Sequence, residues 1–148
     1  MYTTRNYPAV YAPMNGRTQI NIMPAADVPR AVATLLQTTK RLQEMLELWS
    51  TYQANESQVS DVYVRVGTEF NATVTAFAYY SIDMSELYYI PQELRGVLEN
   101  CLSEDASPQV LAKYMPQVRQ ILFNLLQGLR NKQPAYWRAV GGNQVIVP

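Results

Sequence analysis

SEDASPQVLAKYMPQVRQILFNLLQGLRNKQPAYWR, residues 103–138, is the stretch whose reading decides the fold. Val118, Ile121, Leu122, Leu125, Leu126 and Leu129 return to one side at helical spacing, so the segment has an apolar stripe that must face a core. Ser107 is a good N-cap and Pro108 fits the first helical position, where its missing N–H costs nothing. Pro116 lacks a backbone donor and disfavours helical geometry at Met115. The expectation is therefore a short helix from Pro108 to Tyr114 and a longer one from Pro116 to about Lys132.

Working outward, the same period recurs upstream. Asp27 and Pro29 read as the start of a first helix running to about Tyr52. Along it Val28, Val32, Leu35, Thr39, Leu42, Leu46 and Trp49 draw one seam, widened by Leu36 and Met45. A coiled-coil dimer is the alternative, but fewer than four clean heptads and a Thr on the seam favour an intramolecular bundle. Val62-Tyr63-Val64-Arg65-Val66 alternates like a strand. Over the longer window Val59, Val62, Val66, Phe70, Val74 and Phe77 keep helical spacing, so Gln58–Tyr80 is predicted helical, with Gly67 as a candidate close crossing. Ser81–Tyr89 reads as a loop with one turn around Ser85-Glu86-Leu87, and Pro91 opens a third helix to Leu102 with Leu94, Val97, Leu98 and Cys101 inward.

The fold class predicted is all-α, an antiparallel bundle of four to six helices with extended N- and C-terminal arms: 1–26 an arm, 27–133 the bundle, 134–148 a tail. Thr18–Ile22 and Asn143–Val147 alternate polar and apolar residues. Short strands are one reading of them, and chain without regular structure the preferred one.

Composition removes most chemistry. With 148 residues, no histidine and one cysteine, there is no His-dependent general base, no nucleophile system built on His, no zinc cluster and no internal disulfide. No phosphate-cradling glycine loop occurs, so no cofactor and no metal is expected. The carboxylate pairs Glu44/Glu47 and Glu104/Asp105 read as solvated surface or caps, which makes a non-enzyme the expectation. Single-cysteine usage and the lack of a signal-like or membrane-length apolar run suggest an intracellular, soluble chain, in which the acceptor patterns at Asn55 and Asn71 are chance matches.

The formal net charge of zero hides segregation. Residues 1–41 carry five basic and one acidic side chain, 42–105 two and eleven, and 106–148 five and none. A nucleic-acid partner would require an unneutralised basic face and is not expected. Binding to proteins is favoured, and weak contact of the basic last helix with a membrane surface is the alternative. The five late cations are Lys113, Arg119, Arg130, Lys132 and Arg138. Tyrosines are abundant, eleven in all, and Tyr79-Tyr80, Tyr88-Tyr89 and Tyr136-Trp137 are adjacent pairs, so one member of each must lie outside the core. Because tyrosine, tryptophan and arginine anchor interfaces, Arg119, Arg130, Lys132, Tyr136, Trp137 and Arg138 are the candidate interaction residues. Trp137 folding back to cap the bundle is the competing expectation.

Three blocks carry a resemblance: Val59-Ser60-Asp61-Val62-Tyr63-Val64 with Gly67, Phe70 and Asn71; Leu102 to Pro108; and Asn124 to Gln133, NLLQGLRNKQ. In this order and spacing, over about residues 28 to 136, the chain resembles the N-terminal domain family of the fungal actin-interacting bud-site-selection proteins. These are polarisome components and formin cofactors. The resemblance implies a cytoplasmic scaffold of the cell cortex, found at the bud tip and bud neck. Its partners would be polarity factors or a second copy of itself, as a homodimer. Actin and formin are bound by a coiled-coil half absent from this chain, and the resemblance brings no catalytic or ligand motif with it.

Overall fold

The computed structural model describes residues 26–141. Within them lie α1 (Val28–Ser50), α2 (Glu56–Tyr79), a 3₁₀ turn (Ser85–Leu87), α3 (Ile90–Leu102), α4 (Pro108–Arg130) and α5 (Gln133–Gly141). Among the described residues there is no strand, and the all-α bundle expected from the periodicity is the fold. Thr18–Ile22 and Asn143–Val147 lie outside the described residues, as do the arm 1–25 and the last residues of the tail.

Of the four long helices α1, α2 and α4 begin where a side-chain cap sits, and α3 begins after Tyr89 without one. The Asp27 carboxylate accepts from Arg30 N at 3.0 Å, with Pro29 in the first turn. Asn55 and Gln58 form a reciprocal capping box at 2.9 and 2.8 Å, and Ser107 Oγ accepts from Val110 N at 3.0 Å. Such caps supply partners for backbone donors that the helix cannot satisfy itself. α1 and α2 both stop through the same device. Tyr52 and Ser81 adopt positive φ, and the next N–H reaches back five residues, Gln53 to Leu48 O at 2.8 Å and Ile82 to Phe77 O at 3.0 Å.

The four long helices form a ring in which α1 packs on α2 and α4, and α3 on α4 and α2. Leu35, Leu42, Leu46, Val59, Phe77, Leu94, Val118 and Leu125 are buried at its centre. Removal of each such large side chain from water stabilises the fold by about 1.5–3 kcal/mol. Two tyrosine hydroxyls tie the ring across long sequence separations: Tyr63 Oη donates to Pro91 O at 2.7 Å, and Tyr80 Oη to Ala26 O at 3.0 Å.

Two expectations are corrected. Pro116 does not divide the 103–138 stretch, since α4 runs unbroken from Pro108 to Arg130. Leu111, Met115 and Val118 are buried on its inner face, whereas Ala112 and Pro116 are exposed, so the carbonyl the proline leaves free lies on the wet side. The cost of an internal proline, about 3 kcal/mol, is outweighed by burial of those three side chains. Gly67 does not mark a close crossing either, because a Cβ added there meets no atom within 4 Å. The tight approach is at Gly128, where a Cβ would stand 2.8 Å from Leu87 Cδ1 and nearer still to Cδ2.

Candidate interaction site on the α1/α4 seam

The last turn of α4 is held by two contacts. The notch left by Gly128 receives Leu87, which brings the 3₁₀ turn onto α4, and the neighbouring Glu86 carboxylate pairs with Lys132 Nζ. The hydrogen bond from Lys132 holds the Glu86 carboxyl below the usual carboxylate range. Chain direction after α4 is therefore fixed before α5 begins.

α5 follows at once, opened by Pro134 in its first turn. The sequence reading places a tail from residue 134, yet residues 133–141 are helical, because Tyr136 has a seat on the bundle. Its ring meets Phe77 edge-on at 6.5 Å and Tyr80 at 5.4 Å. Aromatic pairs of this geometry contribute about 0.5–1.5 kcal/mol each beyond burial. Tyr136 thus docks the helix, and Trp137, the next residue, points away and is 60% exposed. The expected capping by Trp137 falls instead to Tyr136.

Between the start of α1, the end of α4 and α5 lies a groove of about 410 Å³. Val32, Leu36, Leu126, Leu129, Tyr136 and Trp137 give it an apolar floor and wall, and Arg130 is the charged side chain in its lining. Arg119 lines a second hollow of the same helix pair, beside Glu47. Exposed Phe123 stands between the two on α4, since Arg119, Phe123, Leu126 and Arg130 follow at steps of four, three and four. The two hollows lie along one helix pair, the first apolar with Arg130 in its lining, the second mixed with Arg119 and Glu47.

The six candidate residues are thus sorted by the fold. Arg130, Tyr136 and Trp137 meet in one groove, Arg119 lies further along the same seam, and Arg138 is exposed next to Trp137. Lys132 belongs to a different role, being largely covered and paired with Glu86. Lys113 is also engaged: its Nζ donates to Glu104 Oε1 at 3.0 Å, and the other carboxylate oxygen accepts from Tyr114 Oη. The basic last helix consequently presents three arginines outward rather than five charges, which weakens the membrane-surface reading. The sequence reading assigns Val32 and Leu36 to the apolar seam of the first helix and does not single out Phe123. The spacing of Phe123 from Arg119 and Arg130 is the signal that identifies it.

Burial pushes the Cys101 thiol up to about 11. Among the described residues no three His, Cys, Asp or Glu side chains converge as a metal site would require, and no helix is long and apolar enough to cross a membrane.

A ring of four helices carrying a solvent-open apolar groove is a helical-bundle domain. Residues 29–137 match the family described as the Aip3p/Bud6 N-terminal domain, and the chain belongs to that family. No curated protein and no solved structure matches it. Membership makes the chain a polarity-related scaffold domain.

Proposed function

We propose that this domain is the targeting and protein-interaction module of a cell-polarity scaffold, docking a protein partner on the α1/α4 seam and so placing an actin- and formin-regulating protein at sites of polarised growth. The observation that carries this reading is the groove beside Trp137. A tryptophan left 60% exposed on a helix whose neighbouring Tyr136 is anchored has the form of an interface anchor held ready by the fold. Actin nucleation is not assigned to these residues.

The test is location. The chain, fused to a fluorescent protein and expressed in a budding fungal cell, is expected to collect at the bud tip and bud neck. A uniform cytoplasmic signal overturns the targeting role.

A further inference from the structure

The charges around the seam point to the chemistry of its occupant. Arg130 lines the groove and Arg119 the neighbouring hollow on α4. Among the described residues neither belongs to an ion pair, whereas Arg41, Arg95, Lys113 and Lys132 each have a carboxylate within 4.0 Å. Glu47, at the Arg119 end, is the acidic side chain in the lining of the two hollows, so two cations stand against one anion. Asp27, at the other end, already accepts from the Arg30 backbone as an N-cap.

The shape points to a helix. Two helices border the seam and no free strand edge exists among the described residues, so an extended segment would leave its own backbone groups unpaired; a helix brings its hydrogen bonds with it. From Arg119 to Arg130 the seam runs about 16 Å, three turns of a helix. Phe123 and Trp137, 53% and 60% exposed, lie toward its middle and its end.

We propose that the seam binds an acidic amphipathic helix of about three to four turns from another protein. Its leucine- or phenylalanine-sized side chains fill the Val32–Leu126–Trp137 groove, and its glutamates or aspartates face Arg119 and Arg130. This rests on the reading that the seam is a partner site. Opposite charge is required because covering Arg130 with an apolar or basic surface would strip its hydration without a counter-charge.

Two synthetic helices of about four turns with the same leucine stripe, one flanked by glutamate and the other by lysine, are titrated against the full chain. Trp137 fluorescence is the readout, Trp49 being buried. The glutamate helix is expected to bind at least about tenfold more tightly, and more weakly as salt rises. Arg130→Glu should shift the preference toward the lysine helix, and Asp61→Lys on α2 should leave it unchanged, with melting curves showing that both variants fold. Equal binding of the two helices, or binding of neither, overturns the proposal. So does light scattering that shows a dimer which Arg130→Glu dissociates, because the occupant is then a second copy. A glutamate-selective seam whose variants still localise normally would refute the targeting role and leave this inference standing; delocalised seam variants with no glutamate preference would do the reverse.

Discussion

Replacement of Gly128 by alanine tests the packing that sets the direction of the chain into α5. The added Cβ would lie 2.8 Å from Leu87 Cδ1 and 3.0 Å from Cγ, with Cδ2 closer than either. Rotation about the last side-chain bond cannot clear it, since Cγ itself is within reach and Leu87 is only 4% exposed. Leu87 and its 3₁₀ turn must therefore shift. Overpacking of this kind costs about 1–3 kcal/mol, against which removal of a helical glycine returns up to about 1 kcal/mol. The net expectation is about 1–2 kcal/mol of destabilisation. Gly67 and Gly96 have no atom within 4 Å of an added Cβ, so alanine at either should stabilise by about 0.5–1 kcal/mol. Urea unfolding followed by circular dichroism separates the variants, with midpoints moving in opposite directions. Gly128→Ala unfolding at or above the midpoint of Gly67→Ala would refute the notch.

Other consequences follow from the same contacts. Tyr136→Ala removes both edge-on aromatic contacts, so hydrogen exchange across α5 should accelerate toward that of an unprotected chain while the four long helices keep their protection; unchanged α5 protection would show that Tyr136 is not its anchor. Glu86 and Glu104 have carboxyls held low by hydrogen bonds from Lys132 and from Tyr114 and Lys113. Their contribution is complete above the ordinary glutamate pKa, about 4.3, and is lost as pH falls through the folded values, so Glu86→Gln with Glu104→Gln should flatten the acid limb of the stability curve. Cys101, 1% exposed and with its thiol pushed up to about 11, should react with thiol reagents only through opening of the bundle, at a rate that rises in urea together with unfolding.

The helices were legible in the sequence where apolar spacing and caps agreed. Asp27 and Ser107 mark starts that the structure keeps, and the Gln58–Tyr80 segment is helical although Val62 to Val66 alternates like a strand, with Asn55 as a cap that the sequence reading did not mark. Pro116 misled because a local rule gives no weight to burial: the inner face of α4 is held by Leu111, Met115 and Val118, all from outside the proline's own geometry. The close approach read at Gly67 lies at Gly128 for a related reason, since it depends on which side chain arrives from elsewhere in the chain, here Leu87. Arg130, Tyr136 and Trp137 were legible as interface residue types. That Lys132 turns inward to Glu86 was not, because those two residues meet only after the 3₁₀ turn has been seated on α4. Phe123 was hidden within an apolar run, and its exposure depends on which face of α4 meets α1 and α3.

The central claim is that the α1/α4 seam is the surface through which the domain reaches sites of polarised growth. Its most direct test compares three tagged chains in budding cells: wild type, the seam variant Phe123→Ala with Arg130→Glu, and the control Asp61→Lys on α2, each shown to melt as a folded protein. The account predicts bud-tip and bud-neck signal for wild type and control, and diffuse signal for the seam variant. A seam variant that localises as wild type does would contradict it.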